Sequence, residues 1–134
     1  MDFTNLGVMR APRHLVFGAG QRGALARHAG VFGTRALIVT DTRMARDKDF
    51  LQMRQALEAQ GIATQVFDGV AAELPLSCIE AGAKAGRAAG ARMIIGIGGG
   101  SCLDAAKIIG LLLSHGARRR IIMANTRFPV RSCR

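Results

Sequence analysis

Long apolar spans and paired cysteines are missing from this 134-residue chain, and no leader peptide is expected. The most apolar window, residues 93–113, is interrupted by four clustered glycines, Asp104 and Lys107. A membrane span needs about 20 predominantly apolar residues, so no membrane partner is expected. The N-terminus shows no continuous apolar run followed by a small-residue cleavage site, which leaves the cytoplasm as the default compartment. Cys78, Cys102 and Cys133 form no CxxC pair and are odd in number, which argues against a disulfide framework or a structural zinc site. Acidic residues are missing from Ala117 to Arg134, where six arginines stand.

That last absence explains the charge. The net charge is +10, but without those arginines residues 1–116 carry thirteen basic and nine acidic residues, a net +4. The body is mildly basic, and the excess that would invite a nucleic-acid reading belongs to the tail. What the chain does have is 49% hydrophobic residues, 17 glycines and a mean hydropathy of +0.20. Such a composition suits a buried, glycine-punctuated core of one domain and excludes a chain disordered throughout.

Two periods alternate along the body. Short β-rich runs at His14–Phe17, Ala36–Thr40, Ala63–Phe67 and Met93–Gly96 are separated by segments with helical spacing. In Asp49–Gln60, Phe50, Met53 and Leu57 fall on one face, and Gly61 follows as a C-cap. Ile79–Ala89 is a second helical run, whose Gly82 and Gly86 would let it approach a sheet closely. Apolar strands alternating with helices indicate an α/β fold with a doubly wound, mainly parallel, Rossmann-like sheet covered on both faces.

Ile94-Ile95-Gly96-Ile97-Gly98-Gly99-Gly100-Ser101-Cys102-Leu103-Asp104-Ala105-Ala106-Lys107 is the sharpest local signal. A buried strand runs into three glycines and then a helix that Ser101 could cap, with Asp104 in capping-box position. Unobstructed amides at a helix start suit a pyrophosphate, although a structural turn would use the same residues. Gly18-Ala19-Gly20-Gln21-Arg22-Gly23 competes as a GxGxxG fingerprint, with Asp41 twenty-one residues beyond Gly20. That spacing would put Asp41 at a ribose.

The string Gly98–Lys107, GGGSxxDxAK in pattern, resembles the N-terminal cofactor domain of the iron-dependent (group III) alcohol dehydrogenase family. Phe17-Gly18-Ala19-Gly20, Ala36–Asp41 and Phe67-Asp68-Gly69-Val70 followed by Pro75 keep the same order, and the resemblance covers roughly residues 11–116. It implies that Gly98, Gly99, Gly100 and Ser101 contact the cofactor pyrophosphate, that Asp41 lies near the adenosine ribose, and that Asp104 and Lys107 complete the motif. The cofactor implied is NAD, with NADP as the alternative, and the substrate class is a small alcohol or aldehyde. The family's iron or zinc is held by an aspartate and three histidines of a C-terminal helical domain. His14, His28 and His115 match none of those positions, so no catalytic or metal-binding residue is named.

The resemblance divides the chain into a dinucleotide-binding domain at 1–116 and a basic tail at 117–134. Back-translated with suitable synonymous codons and read two bases on, the tail gives Ala-Pro-Gln-Asp-Tyr-Tyr-Gly, which looks like the family's continuation. The expectation is therefore a frameshift that truncates the protein, leaving the sheet incomplete at its C-terminal end and the metal-binding domain absent. A fragment inactive alone follows, with homo-oligomerisation left open. Two alternatives stand beside it: a non-catalytic dinucleotide-binding module, and a nucleic-acid-binding protein acting through the arginines.

Overall fold

The run Arg35–Val39 (β1) is buried at four of its five positions, as a strand covered on both faces must be. In a computed structural model that describes residue 12 and residues 14–114, β1 is the middle of a three-stranded parallel sheet. It pairs with Ala63–Phe67 (β2) from Arg35↔Ala63 to Val39↔Phe67, and with Met93–Gly96 (β3) from Ala36↔Met93 to Val39↔Gly96. Helices Ala24–Ala29 (α1), Thr42–Ala45 (α2), Lys48–Ala59 (α3), Leu76–Ala88 (α4) and Gly100–Ser114 (α5) complete the fold.

Strand alternation sorts the core into two layers. Leu37 and Val39 pack with Ile79 and Ala83 of α4 and with Ala105, Ala106, Ile109 and Leu112 of α5. Ala36 and Ile38 face the opposite way, onto Ala29 of α1, Phe50 and Leu57 of α3, and Ile62. Parallel strands with helices on both faces make the fold α/β and Rossmann-like. None of the helices among the described residues is long and apolar enough to cross a membrane.

Helix ends follow side-chain chemistry. Asp47 caps α3 by accepting from the Asp49 and Phe50 amides. At the other end Gly61, at φ +79°, donates to the Glu58 carbonyl while Ile62 donates to that of Leu57, a Schellman motif that also packs Ile62 on Leu57's cluster.

Several sequence expectations change. His14–Phe17 joins no strand among the described residues; Leu15 and Phe17 are exposed, and the His14 ring stacks on that of His28. Apolar, β-prone residues suggested the strand, but among the described residues they form no ladder with another strand. Gly82 and Gly86 do permit close approach, though chiefly to α5: a Cβ would stand 2.3 Å from Ile109 Cδ1 at Gly82 and 2.6 Å from Leu113 Cδ1 at Gly86. Sheet side chains come next, Phe67 at 3.0 Å and Leu37 at 3.3 Å. The basic tail, His115 and Cys133 lie outside the described residues.

Candidate cofactor site

In this topology β1 leads through α3 to β2 on one side, and β2 leads back through α4 to β3 on the other. The C-terminal ends of β1 and β3 therefore lie side by side where the chain switches direction, the place at which open α/β sheets form their ligand crevice. From β1 comes Thr40-Asp41, and from β3 comes Ile97-Gly98-Gly99-Gly100.

Thr40 is fully buried and fastens the two ends together. Its hydroxyl donates to the Ile97 carbonyl at 2.7 Å, and its amide donates to Phe67 at 2.9 Å. Asp41 then forms an isolated bridge with Gly69, while the Thr42 hydroxyl donates to the Asp68 carbonyl at 3.2 Å. The acid is thus framed by the 67–70 loop on one side and the glycine loop on the other.

Asp41 is half-buried, and each of its carboxylate oxygens has a partner. Oδ1 accepts from the Met44 amide at 2.7 Å, capping α2, and Oδ2 faces Cys102 Sγ at 3.6 Å. The Met44 bond dominates in holding the carboxyl below its ordinary range; burial opposes it, and Cys102 and Arg43 assist. Burial first, then the Asp41 charge, pushes the Cys102 thiol up, so it stays protonated at neutral pH and acts as a donor.

The glycines of the loop have different duties. At Gly98, φ is +139°, and a Cβ would stand 2.7 Å from Cys102 Sγ, so the fold itself demands glycine there. Gly96 is similar in effect, because a Cβ would meet that of Ala106 at 2.8 Å where α5 lies on β3. Gly99 and Gly100 are exposed, with nothing within 4 Å of a Cβ. Their backbone opens to solvent at the start of a 15-residue helix, where unpaired amides and the helix dipole favour an anion. A pyrophosphate fits that opening, and a sugar hydroxyl fits the free edge of Asp41.

Ser101 does not cap the helix. The helix starts at Gly100, the Leu103 amide donates to the Gly99 carbonyl at 3.1 Å, and exposed Ser101 sits within the first turn. The capping box is absent for the same reason; Asp104 pairs instead with Lys107 at 3.2 Å on the solvent face of α5. The structure therefore brings Asp41 beside Gly98 and places Gly99, Gly100 and Ser101 on the adjoining turn. Asp104 and Lys107 project from the outer face, more than half exposed.

Gly18–Gly23 stands elsewhere. Gly20 precedes a single 3-10 turn, Gln21–Gly23, and the Arg22 guanidinium pairs with Asp49 of α3. This loop does not adjoin Asp41 and follows no strand of the sheet. Among the described residues no three His, Cys, Asp or Glu side chains converge as a metal-binding group, so none is assigned as a ligand. The Cys102–Asp41 contact carries no sequence signature and depends on how β1 and β3 align; the 67–70 segment was marked by the resemblance, though not its place beside Asp41.

A family model described as iron-containing alcohol dehydrogenase matches residues 12–132. The bifunctional aldehyde-alcohol dehydrogenase of Escherichia coli (strain K12) is 40% identical over 81 residues, covering 60% of this chain and 9% of that protein. Lactaldehyde reductase of the same organism is 33% identical over 100 residues, covering 74% of this chain and 26% of that protein. The crystal structure of 1,3-propanediol oxidoreductase matches with a TM-score of 0.70 at 27% identity, over 73% of this chain and 26% of that one. An archaeal halo-thermophilic Red Sea brine pool alcohol dehydrogenase shares the fold, with a TM-score of 0.72 at 24% identity over 83% of this chain and 29% of its own. The chain spans about a tenth of the first of these curated relatives and about a quarter of the second. By a match that takes in every described residue, the chain belongs to the iron-containing alcohol dehydrogenase family and corresponds to its N-terminal, Rossmann-like region.

Proposed function

We infer that this chain is the nicotinamide-dinucleotide-binding part of an oxidoreductase that interconverts small alcohols and aldehydes. One observation carries the reading: an open glycine turn at the start of α5 lies against a fixed carboxylate, at the switch point of the sheet. The relatives act in the same chemical class, one being described as a lactaldehyde reductase and another as an aldehyde-alcohol dehydrogenase. In this reading the Gly99 and Gly100 amides bind the pyrophosphate and Ser101 stands at its side. Asp41 accepts from the adenosine ribose, and its charge repels a 2′-phosphate, which favours NAD over NADP. Arg43, exposed two residues on, works against that preference because it could pair with the phosphate. When bound, the nicotinamide supplies the hydride acceptor or donor; the residues described here hold and orient it. No residue described here is assigned to the alcohol or to a metal, and the role read for this segment is cofactor binding. Residues 117–134 are read as out of frame, which resequencing through the Gly116 codon tests.

Titrating the chain with NAD and NADP by calorimetry tests the binding. Replacing Gly99 by Val puts a branched side chain into the open turn and should weaken NAD binding at least about tenfold while leaving the melting temperature nearly unchanged. Unaltered affinity, or the same loss at Gly20→Val, would transfer the pyrophosphate to the earlier loop.

A further inference from the structure

The Asp41 carboxylate is held at two points by two different elements. Met44, in the turn that Asp41 itself caps, fixes Oδ1 at 2.7 Å. Cys102, in the first turns of α5 and 61 residues away in sequence, faces Oδ2 at 3.6 Å. Only 2% of Cys102 is exposed, and its Sγ lies directly beneath Gly98, where a Cβ would come within 2.7 Å of it. The thiol thus fills the floor of the crevice between the acid and the glycine turn. A carboxylate held at one oxygen can rock about its last torsion, whereas one held at both presents a single edge. Each oxygen retains a lone pair after these bonds, so the exposed edge can still accept from two sugar hydroxyls.

We propose that Cys102 is a positioning residue for cofactor selection: by donating its S–H to Oδ2, it locks Asp41 in the orientation that accepts the ribose diol and rejects a 2′-phosphate. This rests on the dinucleotide reading above. The thiol serves as a donor because burial and the neighbouring charge keep it protonated. It also ties the ribose end of the site to the phosphate turn, so a disturbance at either end is felt at the other.

The proposal predicts a split between the two cofactors. For the full 134-residue chain, Cys102→Ala should lower the NAD-over-NADP affinity ratio roughly three- to tenfold, the range for losing one ordinary hydrogen bond, as suits a weak thiol donor. Cys102→Ser restores a donor and should keep the ratio within about twofold of the starting value. Equal weakening of both cofactors in Cys102→Ala, or a Ser variant that behaves like Ala, would show that the thiol only packs and would overturn the proposal. A contact measurement needs no cofactor: the pH midpoint of the Cys102 Cβ chemical shift, read by carbon NMR on the folded chain, should fall in Asp41→Asn. Asparagine keeps the α2 cap and puts an uncharged amide donor where the Oδ2 acceptor faced the thiol, which removes both the charge and the hydrogen bond. An unmoved midpoint would deny the contact and sink the proposal whatever the binding data say. If the unaltered chain binds neither cofactor, the dinucleotide reading fails and takes this proposal with it; binding with an unchanged ratio in Cys102→Ala defeats the proposal alone.

Discussion

Asp41 has two tasks that share one carboxylate, capping α2 and facing the glycine turn. Its carboxyl is held below the ordinary value of 3.8, chiefly by the Met44 amide, so the native state binds that proton more weakly than the unfolded chain does. The stability this contributes is fully present above the unfolded pKa and is lost as pH falls through the lower native one. Asp41→Asn should flatten this part of the acid limb while preserving the cap, and Asp41→Ala should cost about 1 kcal/mol at neutral pH. Urea midpoints measured from neutral to strongly acidic buffers check both; an Asn variant with the original acid slope would show that another carboxylate carries it. The residue scale is also where the sequence was most eloquent. Asp41 and the three glycines announce themselves because each follows a strand end, and strand ends are legible. Their joining through Cys102 is not, since it depends on how β1 and β3 align.

Packing between α4 and α5 turns on glycines of two kinds. Gly82 faces Ile109, itself fully buried, with a further neighbour in Phe67 at 3.0 Å from a Cβ. Gly110, on the other side of α5, has only Ile94 in ordinary contact at 3.5 Å. Alanine should therefore destabilise at Gly82 by about 1–3 kcal/mol through overpacking, and stabilise at Gly110 by up to about 1 kcal/mol through helix propensity. Thermal melts of the two variants decide this, and a stabilised Gly82→Ala would mean that Ile109 swings aside without cost. Helices and strands of the body were readable because their apolar spacing matches their burial, as Phe50 and Leu57 show on α3. Boundaries were less so. Serine's preference for N-cap positions pointed to Ser101, but the turn at Gly98 starts the helix at Gly100, too early for that. At residues 14–17, β-propensity is not matched by any ladder among the described residues.

For the molecule as a whole, β1 bears the load of the sheet and β3 does not share it equally. Among the described residues β3 is bonded only to β1, and a hollow of about 460 Å³ lined by Leu25, His28, Phe32, Met93 and Ile95 runs along its outer side. In a parallel pair alternate peptide groups point away from the partner, so about half of those on β3 face that side. Hydrogen exchange on the 134-residue chain should then find the most protected β1 amides, at Leu37–Val39, exchanging roughly ten times or more slowly than the outward amides of Met93–Gly96. Equal protection would reveal that something covers the edge.

Gly98 adds a stereochemical consequence. Its φ of +139° lies where L residues rarely go, and the clash with Cys102 arises on the side where an L side chain would project. A D-alanine at that point would find the same φ comfortable and turn its methyl group away from the sulfur. The turn that joins the acid to the helix therefore discriminates by handedness before it discriminates by size, and among the genetically encoded residues only the achiral one satisfies it.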